Sequence, residues 1–291
     1  MNSARDIKLR IKNVGSIKQM VRALYMIAST KLNKARAQLE GIRPIYYELK
    51  GIVDKLSSQE GAKNHPFYAE REVKNSLYIV FTADRGFAGA YNANIMAKAL
   101  EHMNMNQEKK QKILVVGSKG YEYFKKRNMN IVRAITDVSD AQTYQNAESI
   151  SKLIIDLYLS GEVDEIFVAY TQFDTLLSYL PRVDKLLPVA ADSIEMDGNN
   201  DIKYEPDIDT FIDHAIPFYL HMSLFRAFLE SNTSEQAARM INMDSAEKNA
   251  EEMIEDLTRL YNRQRQASIT QELSEIVGGA NILNKGELYD S

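Results

Sequence analysis

"SEQAARMINMDSAEKNAEEMIEDLTRLYNRQRQASITQELSEIVGGANIL", residues 234–283, decides the architecture. Between Pro217 and Gly278 the chain holds neither proline nor glycine, so nothing there interrupts a helix. Ala246, Ala250, Met253, Leu257, Leu260, Gln264 and Ala267 recur at alternating steps of four and three, the spacing of a coiled-coil seam. Beyond Ala267 the phase shifts, and Ile269, Leu273, Ile276, Ala280 and Leu283 carry the stripe on. A helix of that length cannot bury its apolar stripe alone. It needs a partner.

The partner is at the other end of the chain. From Ser3 to Leu56 the same steps select Ile7, Ile11, Val14, Lys18, Val21, Tyr25, Ala28, Leu32, Ala35, Leu39, Ile42, Tyr46, Leu49, Val53 and Leu56, with Lys18 the one polar member. A continuous helix of that length reaches on the order of 80 Å. Gly15 and Gly41 weaken it locally, and Pro44 is expected to bend it or mark its fraying end. Residues 1–43 carry ten Lys or Arg against Asp6 and Glu40, whereas residues 213–283 carry eleven acids against six bases. Opposite charge predisposes the two helices to pair. Small seam residues, Ala28 and Ala35 facing Ala246 and Ala250, are expected to allow close approach.

Between the ends the period changes. Residues 57–75 are polar and contain Gly61 and Pro66, which reads as a linker. Strands are expected at Ser76–Asp84, Lys112–Gly117, Asn130–Thr136 and Glu165–Phe173, with a proline-bearing edge strand at Pro181–Val189. Helical runs at Ala90–Met105, after Ser118 and at Ser149–Leu159 alternate with them. That alternation predicts a mostly parallel sheet covered on both faces. Met196–Asp209 reads as a polar return loop, with Pro217 in the first turns of the last helix. The fold class is therefore α/β, a long antiparallel coiled coil of the N- and C-terminal helices with an α/β domain inserted. The segments are 1–57, 70–210 and 211–291.

Composition excludes several chemistries. At 291 residues and 45% apolar the chain has ample core, and a net charge of -4 argues for neither nucleic acid nor membrane. With no cysteine, disulfides and thiolate chemistry are impossible. No apolar run approaches the ~18 residues of a membrane span. "MNSARDIKLRIK" lacks the apolar core of a signal peptide, so a soluble intracellular protein is expected. His65, His102, His214 and His221 have no metal spacing, and no nucleophile–base–acid pattern stands out. The turns "DRGFAGAYN" (residues 84–92) and "GSKG" (117–120) follow strands and open helices, where phosphates bind in nucleotide folds. Neither matches a phosphate-loop pattern, and tight turns need glycine for backbone reasons alone.

The end of the last helix is more unusual. Arg259, Arg263, Arg265, Gln266, Thr270 and Glu272 gather long polar side chains, and "IVGGANIL" (276–283) follows without a charge. Forked donors on a rigid helix suit brief contact with a partner's carboxylates, and a bare apolar end suits an apolar collar. A solvated face and packing on its own chain are the plainer alternatives.

At these residues the chain resembles the gamma subunit of the F-type rotary ATP synthase, bacterial type. "RDIKLRIKNVGSIKQMVRALYMIASTKL" near the start and "SEQAARMINMDSAEKNAEEMIEDLTRLYNRQRQASITQELSEIVGGA" near the end carry the resemblance, with "DRGFAGAYN" and "YEP" (204–206) between them. It implies a rotor shaft. The coil stands inside a ring of three alpha and three beta subunits, and a Rossmann-like foot sits with the epsilon subunit on the membrane c ring. Proton flow turns the ring, and the shaft drives the beta subunits through their states. The chain is then not itself an enzyme, binds no cofactor, metal or nucleic acid, and meets the membrane only through partners. It is expected on the cytoplasmic face of the bacterial plasma membrane, as a peripheral subunit. Position by position, the resemblance implies that Arg239, Arg265, Gln266, Thr270 and Glu272 touch the catalytic hexamer. Ile276, Val277, Ala280, Ile282 and Leu283 form the apolar bearing tip, and Tyr204 and Glu205 meet the c ring. The chain departs from the family at Leu24 and Tyr25, at "GFAGAY" where a cysteine is usual, and in the extension 284–291. No thiol regulation is expected. A static coiled-coil adaptor with an α/β head, or an enzyme acting on a phosphorylated ligand, are the rival readings.

Overall fold

The computed structural model describes residues 4–59, 61–69, 71–189 and 207–287. Its elements are α1 (Ala4–Ser57), β1 (Asn75–Phe81), α2 (Tyr91–Met105), β2 (Lys110–Val116), α3 (Ser118–Lys126), β3 (Ile131–Ile135), α4 (Thr143–Leu159), β4 (Glu165–Phe173), β5 (Tyr179–Leu187) and α5 (Ile208–Glu287). The chain forms two compact units. Residues 28–240 make one; residues up to 27 with those from 241 onward make the other. The division falls inside α1 and α5, so both helices contribute to both units.

In the larger unit the strands run in the order β3-β2-β1-β4-β5. β1 pairs in parallel with β2 and β4, and β2 with β3, while β5 returns antiparallel at the edge. Pro181, which can donate no ladder bond, sits on that edge strand. β1 is buried on both faces, as a strand inside a parallel sheet must be. The two-residue period sorts its side chains. Leu77, Ile79 and Phe81 enter a core with α4 and with α1 and α5 residues such as Val53, Leu56, Ile216 and Leu224. Tyr78 and Val80 enter the opposite core beneath α2, with Ile95, Ala99 and Met103. The end-helices thus cover one face of the sheet themselves.

Three expectations are revised here. Residues 57–75 do more than link, because a 3-10 turn at Ala62–Asn64 leads into buried Phe67 and Tyr68. The Tyr68 hydroxyl donates to the Val53 carbonyl (3.0 Å), and Tyr158 to that of Pro66 (3.1 Å). Pro44 does not end α1, since Tyr46, Val53 and Leu56 beyond it are buried and hold the helix to the core. Pro217 lies well inside α5, which starts at Ile208 under the Asp207 carboxylate, an acceptor for the Thr210 amide at 2.8 Å. Met196–Pro206, with Tyr204 and Glu205, falls outside the described residues.

In the smaller unit the N-terminal seam reads as expected. Ile7 is buried and Ile11, Val14, Lys18, Val21 and Tyr25 are partly buried, while Leu9, Ile17 and Met20 face outward. On α5 the seam differs. Ala250 is buried and Ile254, Leu257, Tyr261, Gln264 and Ser268 are partly buried, whereas Met253 and Leu260 are 53% and 45% exposed. Two successive steps of four, from Ala246 through Ala250 to Ile254, shift the phase earlier than expected. A real helix turns every ~3.6 residues, so a strict 3.5 count drifts off the face. Accordingly, Ile254→Ala is expected to cost about 1 kcal/mol and Met253→Ala less than about 0.5 kcal/mol, read from thermal unfolding of the full chain.

Charge contributes less than its asymmetry suggests. Within this unit Lys18 meets Glu251 at 2.8 Å and Arg22 meets Glu247 at 3.8 Å. Other α5 charges pair along their own helix, as Lys248 does with Asp244. Exposed pairs of this kind are worth ~0–1 kcal/mol, so the apolar seam dominates. The two pairs also set the register. Glu247 and Glu251 lie opposite Arg22 and Lys18, which places Ala246 and Ala250 against residues 19–23, not against Ala28 and Ala35.

Candidate functional site

In an open parallel sheet, ligands bind outside the C-terminal strand ends where the strand order reverses. Here that place lies beyond β1 and β4, and the protein fills it. α5 crosses it with Ser231, whose hydroxyl accepts from the Thr171 amide (3.3 Å), and Ser234, whose hydroxyl donates to the Thr171 carbonyl (3.1 Å). The Glu230 carboxylate accepts from the Phe173 amide at 2.8 Å. A cavity of ≈ 70 Å³ remains, edged by Asp84, Tyr91, Asn232 and Glu235. A ligand pocket needs ~300 Å³ or more.

The glycine turns are occupied too. Asp84 Oδ1 accepts from the amide and hydroxyl of Ser118 (both 2.8 Å), so a protein carboxylate sits where α3 would present its N-terminus to a phosphate. Asp84 Oδ2 accepts from the Val138 amide at 3.2 Å. Thr82 Oγ1 donates to the Val116 carbonyl and accepts from the Gly120 amide. Gly117 has φ +95, and a Cβ there would lie 2.1 Å from the Thr82 carbonyl oxygen. The structural reading of both turns holds: they close the sheet.

The turn after β1 has a second role. Phe87 adopts φ 64, a conformation that costs a non-glycine residue ~1–2 kcal/mol, and leaves its ring 70% exposed. Arg239 secures this turn from α5. Its Nε donates to the Gly86 carbonyl (3.3 Å), Nη1 to Gln236 (3.0 Å) and Nη2 to Glu235 (2.6 Å). Burial pushes the Glu235 carboxyl up, and Arg239 opposes it. Arg239 is thus nearly buried and engaged within its own unit; it supports the surface on which Phe87 stands.

The other polar residues are displayed. Arg263, Arg265, Gln266, Thr270 and Glu272 are exposed. Arg259 leans on Glu255 and Asp256 at 3.7 Å, and the Thr270 hydroxyl returns to the Gln266 carbonyl (2.9 Å). No side-chain bond of Arg265 or Glu272 occurs among the described residues. Ile276 and Val277 are 68% and 59% exposed and Leu273 57%. Ala280, Ile282 and Leu283 lie on the same helix, their side chains outside the described residues.

The histidines are structural or solvated. His65 meets Asp213 (3.2 Å), His102 Nδ1 is hydrogen-bonded to the Tyr78 hydroxyl (2.9 Å), and His221 packs against Tyr144. Burial pushes the Tyr78 phenol up to about 12 and the His102 imidazole down. No metal-holding cluster occurs among the described residues, and none of their helices is long and apolar enough to cross a membrane.

A sheet whose ligand crevice is filled by its own helix, on a chain whose end segments pair along an apolar seam, defines a coiled-coil protein with an α/β body. A family model described as ATP synthase matches residues 3–283. The ATP synthase gamma chain of Desulforamulus reducens is 39% identical over 284 residues, spanning 97% of this chain and 100% of that one. That of Alkaliphilus metalliredigens is 40% identical over 286 residues, 96% and 98%. Among solved structures, a chain of the Euglena gracilis mitochondrial ATP synthase OSCP/F1/c-ring assembly aligns with a TM-score of 0.69 at 18% identity, covering 98% of this chain and 95% of that one. A chain of the Tetrahymena thermophila central stalk and c ring aligns with a TM-score of 0.61 at 21% identity, 78% and 99%. The chain belongs to the ATP synthase gamma chain family, and its role is that of the rotor shaft.

Proposed function

We propose that the chain carries rotation from a proton-driven c ring to an alpha3beta3 catalytic hexamer, or back during hydrolysis, without making or breaking bonds itself. The observation behind the non-catalytic part is the filled crevice: α5 side chains and Asp84 take the positions a nucleotide would need. In this reading 1–57 and 211–291 serve as shaft helices and 70–210 as the foot. Arg265, Gln266, Thr270 and Glu272 touch the hexamer briefly, and Phe87 joins them from the turn that Arg239 braces. Ile276, Val277, Ala280, Ile282 and Leu283 run in an apolar bearing, while Tyr204 and Glu205 meet the c ring beside the epsilon subunit. The site is the cytoplasmic face of the bacterial plasma membrane, reached through partners.

The energetics fit weak contacts. One charge crossing 100 mV yields about 2.3 kcal/mol, so several protons supply each catalytic step through this shaft. A contact that held one angle tightly would consume that increment. Pulling the chain from native membranes is expected to bring a six-membered nucleotide-binding ring with it and the full chain alone to bind no nucleotide. A self-dimeric or monomeric pool would favour the static adaptor, and measurable nucleotide affinity of the free chain would favour the enzyme.

A further inference from the structure

Glu230 is 1% exposed, one turn beyond Arg226 on α5, and beyond its crevice-closing bond to the Phe173 amide it holds an ion network that the displayed helix end does not require. Arg43 of α1 donates to both of its oxygens, Nε to Oε1 at 3.0 Å and Nη2 to Oε2 at 2.8 Å, and also to the Phe173 carbonyl of β4. The same carboxylate accepts from the Phe173 amide. Arg226 lies 3.7 Å from Glu230, donates to the Tyr170 hydroxyl of β4 at 3.0 Å, and stacks 4.2 Å from the Tyr46 ring of α1. Tyr170 in turn donates to Asp184 of β5 at 2.8 Å. Burial pushes the Tyr170 phenol up, so it stays a neutral relay. The network therefore ties α1 and α5 to each other and to two strands, all within residues 28–240.

Stability alone is a poor reason for it. A largely buried arginine–glutamate–arginine set returns little net stability over apolar side chains of equal volume, and Arg226 Nε has no hydrogen-bond partner among the described residues. What forked, charge-assisted bonds supply is direction. Apolar contacts around them, such as Leu39 with Phe173 and Leu229, are insensitive to small rotations of one helix on another. A bidentate fork that also reads a strand's amide and carbonyl is not.

We propose that Arg43, Glu230 and Arg226 form a torsional clamp that fixes the angular register of α1 and α5 on the sheet, so that torque entering the α/β body passes into both helices without slip. The clamp rests on the rotor-shaft reading. These are positioning residues; they touch no reacting group.

The test uses the assembled complex in sealed vesicles, with ATP hydrolysis and ATP-driven proton uptake measured on the same sample and thermal unfolding measured on the full chain. Arg43→Lys keeps the charge and loses the fork. The triple variant Arg43→Met, Arg226→Met, Glu230→Leu keeps volume and removes the charges together. Both are expected to hydrolyse ATP near the parental rate while losing most proton uptake per ATP, with the triple variant's unfolding temperature unchanged or raised. An unaltered ratio of uptake to hydrolysis in the two variants overturns the clamp. So does a parallel fall of both activities with thermal stability, which marks a structural network only. If the triple variant does not assemble, the ratio in Arg43→Lys decides. Failure of the rotor-shaft reading looks different: the parental complex would pump equally well with this chain removed.

Discussion

Arg265→Ala combined with Gln266→Ala is expected to slow ATP turnover by the assembled complex roughly ten-fold, the factor that ~1.4 kcal/mol of lost charge-assisted contact represents. Both side chains are exposed on α5 and neither bonds within the described residues, so the free chain should unfold within about 0.5 kcal/mol of its parent. Alanine also suits a helix interior better than either residue. The two readouts must therefore separate, turnover falling while stability holds. Turnover that stays at the parental level removes these residues from the contact surface; a stability loss would show that they pack on something this chain supplies.

The sequence carried the architecture because both of its signals are periodic. Every N-terminal seam residue from Ile7 to Leu56 is buried or partly buried, Lys18 included, since its long stem covers apolar surface while its ammonium reaches Glu251. The inserted sheet was legible from its apolar runs, down to the proline edge strand. Phase on α5 was less so. Both Met253 and Ile254 are apolar neighbours, and only the three-dimensional path of the helix distinguishes the face that Ile254 occupies. Arg239 was legible only in part. Helical spacing already puts Glu235 and Gln236 within its reach, but nothing in the sequence brings the Gly86 carbonyl there.

Arg226 and Glu230 did leave a trace: charged residues one turn apart inside "HMSLFRAFLES" (221–231), where a solvent-exposed reading conflicts with the apolar residues around them. A charge that survives in such a run must be paired, and the longest basic segment is α1. Pairing of opposite end-helices was thus predictable in sign, but the bidentate pair, Arg43 with Glu230, lies at the sheet and not along the coil. That placement matters for the shaft. Exposed pairs can exchange partners as a helix turns, whereas Glu230 has three neighbours, Arg43, Arg226 and the Phe173 amide, fixed in one geometry.

Gly117→Ala is expected to be the most damaging single methyl in the larger unit. The added carbon would lie 2.1 Å from the Thr82 carbonyl oxygen and 2.7 Å from Thr82 Oγ1, and φ +95 is itself a backbone region that alanine avoids. Rotation of a side chain cannot relieve contact with a backbone oxygen, so the β2–α3 turn must move off β1. Moving it strains the Thr82 amide bond to Val116, the Gly117 amide bond to Ile135 and the Ser118 bonds to Asp84. Backbone strain and broken buried bonds together come to on the order of 3–5 kcal/mol, a large share of the ~5–15 kcal/mol that holds a domain folded. Gly41→Ala is the matched control. It meets nothing within 4 Å, lies on the exposed side of α1, and should stabilise the helix by up to about 1 kcal/mol. Thermal unfolding of the two full-length variants side by side should therefore move in opposite directions. Equal shifts would mean that the turn is not the rigid closure of the sheet that the Thr82 and Asp84 bonds describe.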